Sequence, residues 1–213
     1  MKIYPSLPSG NILYLESTIK TLEDHVAGFH LDIMDFHFVP NLTFGPAFVN
    51  QIRQITSKEL WIHAMVDKPL DLINMFSLKE SDRISIHIEA LNKPDILAAA
   101  RAIYPHIGLA INPDTHIGEL LPFLDSIDHI LVMSVQPGFS GQPFLELTWK
   151  RLEELYKLKI SHPDLIIKVD GGVNKTIIKK ITSVSDAVAV SSALFHNENL
   201  LRNLAELTNT INE

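Results

Sequence analysis

Short apolar, β-branched runs alternate along the chain with longer stretches whose apolar positions recur at helical spacing. The runs near 2–6, 28–34, 60–66, 83–88, 106–111, 129–135, 165–170 and 187–191 read as strands. The stretches near 15–25, 46–57, 69–78, 94–104, 116–125, 143–160 and 174–182, with a last one from about 197 to 211, read as helices. Pro46, Pro69, Pro94 and Pro143 each fall at or near an expected first helical turn, where a missing N–H costs nothing. Asn174 is placed to cap the seventh helix.

Eight strand–helix units in succession imply parallel strands joined by crossover helices. Uniformly apolar runs such as Ile130-Leu131-Val132-Met133 and Leu165-Ile166-Ile167 fit strands covered on both faces. Eight units can close into a barrel or form an open doubly wound sheet. An open sheet usually carries a G-x-G-x-x-G turn after its first strand. The first turn here, Ser6-Leu7-Pro8-Ser9-Gly10, lacks it. The expected fold is therefore α/β, a single (β/α)8 TIM barrel over residues 1–213, with no second domain or linker.

Composition narrows the function. Hydrophobic residues make up 46% of the 213, enough for a sizeable core. Eighteen basic residues against 25 acidic give a formal charge of −7, with no basic patch, so nucleic acid is not an expected partner. With no Cys, there are no disulfides, thiolate metal ligands or thiol nucleophiles. MKIYPSLPSG lacks the apolar core of a signal peptide, and the uncharged stretch around 129–145 contains Pro, Gly, Gln and Ser, unlike a membrane span. The expectation is a cytoplasmic protein without a membrane partner.

In such a barrel, chemistry gathers at the C-terminal ends of the strands. The second strand contains His30 and Asp32, two residues apart and so on one face. They read either as a buried structural pair or as two corners of a metal site. His63, in the third strand, lies among apolar neighbours and reads as a core histidine or a ligand. Asp170, just before Gly171 and Gly172, reads as a turn residue or as a carboxylate open to a small ligand. Together the four form a plausible donor set for a divalent ion. Gly138 and Gly141 let the sixth loop curl close to a ligand, and Gly171, Gly172, Ser191 and Ser192 follow the next two strands. None of these loops has Lys or Arg, so a bound phosphate would rely on amides, hydroxyls and helix ends. His37, His87, His106 and His129 show no ligand spacing.

From HLDIMDFHFVPNLTFGP at 30–46, the sequence resembles ribulose-phosphate 3-epimerases, and the resemblance covers nearly the whole chain. It includes KIYPS (2–6), IHAMV (62–66), IHIEA (86–90), GLAINPDT (108–115), LVMSVQPGFSGQPF (131–144) and VDGG (169–172). The resemblance implies metal-dependent epimerisation at C3, interconverting D-ribulose 5-phosphate and D-xylulose 5-phosphate. It implies His30, Asp32, His63 and Asp170 as ligands of one divalent ion (Zn, Fe, Mn or Co), with Asp32 and Asp170 as the acid–base pair. It assigns substrate contact to Ser6 and His63. It assigns phosphate-side contacts to Gly138, Phe139, Ser140, Gly141, Gly171, Gly172, Ser191 and Ser192. Met34, Met65 and Met133 would line the reacting centre, and a homo-oligomer is implied as an assembly state.

The chain departs from the family pattern at a few positions. Phe36 stands where the family usually has Gly, so a positive φ there would strain it. Ser191 replaces the Gly of a Gly-Ser pair near the phosphate, and Ser140 and Ala64 also differ. Other readings are allulose-6-phosphate 3-epimerase, with the same chemistry on a six-carbon ketose, and a non-catalytic phosphosugar-binding relative. Orotidine-phosphate decarboxylases and their aldolase relatives share the outline but need a Lys between carboxylates, where this chain has Met34.

Overall fold

In a computed structural model describing residues 1–93 and 95–212, eight parallel strands form one sheet. They are β1 (Lys2–Pro5), β2 (Gly28–Met34), β3 (Glu59–Met65), β4 (Arg83–His87), β5 (Ile107–Ile111), β6 (His129–Met133), β7 (Ile166–Asp170) and β8 (Ala187–Val190). Each pairs with its neighbour in the order β1-β8-β7-β6-β5-β4-β3-β2. Among the described residues, the backbone of the last seam, between β1 and β2, is stitched by a parallel bridge from Ser6 to His30 and by the Ala27 N–H donating to the Ile3 carbonyl at 3.4 Å. This is a nearly closed (β/α)8 barrel of the TIM type. Every strand expected from the sequence is present.

The helices are α1 (Leu15–Leu22), α2 (Pro46–Ile55), α3 (Pro69–Ile73), α4 (Ile96–Ile103), α5 (Leu147–Ser161), α6 (Lys175–Ile181), α7 (Ser192–Phe195) and α8 (Leu200–Asn212). Pro46 and Pro69 each begin a helix, and the Asn174 side chain accepts from the N–H groups of Thr176 and Ile177. Three expectations need correction. The fifth helix-like stretch is a 3₁₀ segment, Ile117–Ser126, with Pro122 inside it. Proline has no N–H to give and crowds the preceding turn, which opposes a regular α-helix. The helix expected from 143 begins at Leu147, so Pro143 belongs to the loop before it. The helix expected over 69–78 ends at Ile73. Pro94 lies outside the described residues.

Alternation along the strands sorts the side chains into two sets. Leu31, Ile33, Ile62, Ala64, Ile84 and Ile86 join helix residues such as Val49 and Ile52 in the main apolar core. Tyr4, Trp61, Leu131, Ala187 and Ala189 form a second cluster, joined by a chain of polar groups. The Tyr4 hydroxyl donates to Glu59 at 2.9 Å, and the Trp61 indole N–H donates to Ser85 Oγ at 2.9 Å. Ser85 Oγ lies 2.8 Å from His129 Nε2, while His129 Nδ1 lies 2.6 Å from Asp128. Burial pushes His129 down to about 4, so it stays neutral, accepting from Ser85 and donating to Asp128. This Ser–His–Asp sequence is fully buried at Ser85 and His129, so it serves the barrel floor and no substrate reaches it. Gly108 makes room for it, since a Cβ there would lie 2.5 Å from the His129 ring.

The β2–α2 loop contains Phe36, whose φ of 64° makes it the non-glycine residue with positive φ among those described. Its side chain is 66% exposed and packs little. An L-residue pays about 1–2 kcal/mol in the left-handed region, partly offset in glycine by a floppier unfolded chain. Phe36→Gly is therefore expected to stabilise the protein by up to about 1 kcal/mol, a rise in melting temperature of roughly 2–4 °C. A thermal melt followed by circular dichroism checks it, and a lowered midpoint would show that the Phe36 ring contributes more than its strain costs.

Candidate active site and metal centre

The C-terminal ends of β2, β3 and β7 bring His30, Asp32, His63 and Asp170 together, with one ligand atom from each lying within 4.8 Å of all the others. The register pairs Asp32 with His63 across β2 and β3. His30 Nε2 and His63 Nδ1 each lie 3.0 Å from Asp32 Oδ1. The same nitrogens lie 3.5 and 3.6 Å from Asp170 Oδ2. Both histidines are fully buried, while both aspartate side chains keep 15% exposure on the cavity side.

Electrostatics bind the four groups together. Burial disfavours the His30 imidazolium, but the Asp32 and Asp170 carboxylates outweigh it and raise its pKa to about 9. His63 is raised for the same reason. Burial opposes ionisation of Asp32, yet His30 and His63 hold it well below the usual carboxylate range. Burial and the Asp32 charge both oppose ionisation of Asp170, and the two histidines still hold it low. Two part-buried carboxylates carry −2, which a divalent cation balances when both imidazoles are neutral. The nitrogen and oxygen donors, without thiolate, suit Zn²⁺, Fe²⁺, Mn²⁺ or Co²⁺ alike. The residues present therefore fit a divalent ion, whose identity they leave open.

Neighbouring groups hold the donors in place. Ser6 Oγ donates to Asp32 Oδ2 at 2.9 Å. Thr43 Oγ1 donates to the Asp32 carbonyl at 2.7 Å and accepts from the Met34 N–H at 2.9 Å. Ser134 Oγ lies 2.7 and 2.6 Å from the carbonyls of Asp170 and Gly171, and shares its one proton between them. The His30 ring meets Trp61 edge-on at 4.4 Å, and its Nδ1 has no hydrogen-bond partner.

Above the four donors is a cavity of about 140 Å³, a volume for a small molecule. Ser6, Asp32, Asp170 and the three methionines Met34, Met65 and Met133 line it. Gly138, Phe139, Ser140, Gly141, Gly171, Gly172 and Ser191 line the rest of its expected contact surface. His30 and His63 lie beneath it, and Ser192 is exposed at the start of α7, outside the lining. The glycines with positive φ among the described residues are Gly138, Gly141, Gly171 and Gly172, all on this cavity. Such turns can aim backbone N–H groups at an anion. Gly172 also needs to be bare, since a Cβ there would fall 2.4 Å from the Phe144 nitrogen. Ser191 has a φ of −118°, so its side chain is accommodated without left-handed backbone. No Lys or Arg lines the cavity among the described residues. Lys168 is buried beneath, 3.6 Å from Glu59 and 4.4 Å from the Trp61 ring centroid.

Sequence reasoning missed several cavity residues, among them Asn41, Thr43, Gln136 and Gln142. Asn41 Nδ2 donates to the Gly138 carbonyl at 2.6 Å, tying the loop after β2 to the loop after β6. Gln142 Nε2 clasps the latter loop through the carbonyls of Gln136 and Phe139. It also passed over His87, whose Nε2 lies 2.8 Å from His63 Nε2 and whose pKa burial lowers to about 4.

Residues 2–195 match the profile of the Ribulose-phosphate 3 epimerase family. The chain belongs to that family. Two relatives carry the name ribulose-phosphate 3-epimerase. The one from Helicobacter pylori strain J99 is 34% identical over 202 residues, covering 93% of this chain and 92% of its own. The one from Bacillus subtilis is 32% identical over 214 residues, covering 97% and 98%. Membership in the ribulose-phosphate 3-epimerase family makes the protein an isomerase by descent. Among solved structures, KGPDC from Streptococcus mutans in complex with D-R5P superposes with a TM-score of 0.73 at 15% identity, covering 99% of this chain and 97% of that one. At that identity the likeness concerns the barrel alone. No helix among the described residues is long and apolar enough to cross a membrane.

Proposed function

We propose that this ribulose-phosphate 3-epimerase family member interconverts D-ribulose 5-phosphate and D-xylulose 5-phosphate as one barrel domain, 1–213, in the cytoplasm. The observation that carries this reading is a pair of carboxylates, Asp32 and Asp170, each in the four-donor cluster and each exposed to the same small cavity.

His30, Asp32, His63 and Asp170 would hold a divalent ion, which when bound would supply Lewis acidity to offset the negative charge that builds as C3 loses its proton. Asp32 and Asp170 reach the barrel mouth from β2 and β7, strands that are not neighbours in the sheet. One takes the C3 proton and the other returns one to the opposite face, with the roles exchanged in the reverse direction. The Ser6 hydroxyl fixes one oxygen of Asp32, leaving the other toward the histidines. Met34, Met65 and Met133 give the reacting carbons a polarisable, water-poor wall. The N–H groups of the loops at 138–141 and 171–172, with Ser140 and Ser191, hold the phosphate without a cationic side chain.

The experiment is proton NMR of D-ribulose 5-phosphate in D₂O with metal-loaded protein. The expected result is loss of the C3–H signal and growth of C3-deuterated xylulose 5-phosphate. No exchange and no product, while D-allulose 6-phosphate does exchange, would reassign the substrate to the six-carbon ketose. Inertness toward both, with metal bound, would leave a phosphosugar-binding protein without turnover.

A further inference from the structure

His87 and Glu89 do not line the cavity, yet both ring nitrogens of His87 are engaged. Nε2 lies 2.8 Å from His63 Nε2, and Nδ1 lies 3.1 Å from Glu89 Oε2. The other oxygen of Glu89 accepts from the Asn112 N–H at 2.8 Å and the Thr115 hydroxyl at 2.5 Å. The Phe38 ring covers His87 at 4.5 Å, and His87 is fully buried. An ionised carboxylate only accepts, so His87 must present Nδ1–H to Glu89. A neutral His87 then has a bare Nε2, which only accepts. The proton between the two rings therefore belongs to His63 Nε2, and His63 Nδ1 turns a lone pair toward Asp32 and Asp170.

We propose that Glu89 and His87 are positioning residues that set the tautomer of His63 and so hold its Nδ1 ready to ligate a divalent ion. The inference rests on the metal-centre reading above. His30 has no matching line, since its Nδ1 has no partner and its ring is held by Trp61. A disturbance at Glu89 thus acts on His63 and spares His30.

Glu89→Gln separates this role from simple packing. The amide has the same size, but the Asn112 N–H and Thr115 hydroxyl still require an acceptor. The Gln carbonyl turns to them and its NH₂ faces His87. His87 then accepts at Nδ1 and carries its proton on Nε2, which drives the proton of His63 onto Nδ1, where a metal would bind.

The test combines zinc titration against a chromophoric chelator, on the unmutated protein and E89Q, with long-range ¹H–¹⁵N NMR of the zinc-loaded unmutated protein. The expected result is one zinc bound, His87 in the Nδ1–H form, and about 10–100-fold weaker zinc binding by E89Q with unchanged far-UV circular dichroism. His87 in the Nε2–H form, or unchanged zinc affinity in a folded E89Q, overturns the positioning role and leaves the metal centre standing. Failure of the unmutated protein to bind zinc, manganese, iron or cobalt removes both. The tautomer is read without any variant, so a misfolded E89Q does not stall the test.

Discussion

Asp170→Asn is expected to lower epimerisation by about 10³-fold, within the range usual for loss of a general acid–base group. The amide keeps the size of the side chain and one oxygen but cannot take a proton. Because Asp170 also belongs to the donor cluster, its two roles must be separated. Metal content measured on the same sample shows whether the ion is retained, and proton exchange shows what chemistry remains. With two bases acting on opposite faces, losing one leaves the other able to exchange the C3 proton of a single epimer. D170N should then wash deuterium into either ribulose or xylulose 5-phosphate without inverting it, and Asp32→Asn should do so for the other. Loss of exchange from both epimers in a metal-replete D170N would point to one shared base instead. Near-normal turnover would remove Asp170 from the chemistry.

Stripping the metal with a chelator is expected to abolish turnover and to lower the melting temperature by roughly 8–16 °C. An ion at about a thousand times its dissociation constant stabilises the folded state by about 4 kcal/mol, and each kcal/mol shifts a chain of this size by about 2–4 °C. The direction follows from the cluster, where two part-buried carboxylates repel one another unless a cation or protonated imidazoles intervene. The pH dependence of the stripped protein has a definite sign. His30 is raised to about 9 from the ordinary histidine value of 6.5. Its contribution is therefore full below about 6.5 and is lost as pH rises through about 9. The melting temperature of the stripped protein should fall over that window, and adding back Zn²⁺ or Mn²⁺ should restore both stability and turnover. Full activity after exhaustive chelation would end the metal reading.

Much of this was legible in the sequence because it is local. Strand and helix periods differ, so the eight repeating units announced themselves. His30 and Asp32 share a face simply by being two residues apart in a strand. Phe36 betrayed a positive φ because glycine is what the position ordinarily takes. What stayed hidden depends on register and on contacts distant in the chain. The register pairs His63 with Ser85, which brings His87, two residues on, against the His63 ring. No spacing within either strand reveals that. Asn41 meets Gly138 across 97 positions of sequence, through a loop with no period to read. The polar floor of the barrel was equally opaque, since Glu59, Ser85 and Lys168 look like ordinary surface residues until alternation turns them inward. The 3₁₀ segment at 117–126 shares enough apolar spacing with an α-helix to be taken for one, and Pro122 inside it was the local signal against a regular α-helix.

The weakly stitched seam between β1 and β2 gives the barrel the mechanics of a hoop with one clasp. Seven joints are strand ladders, whereas the backbone of the eighth has, among the described residues, one bridge and one long hydrogen bond. The side chains of the site close the hoop at that gap. Ser6, just beyond β1, reaches across to Asp32 on β2, and His30 and Asp32 face Asp170 from the far side of β1 and β8. The groups that would handle the substrate are thus the fastening of the ring that carries them. A ligand that drew Ser6, Asp32 and Asp170 closer would therefore pull β2 toward β1 and β7 across the weakest joint of the ring.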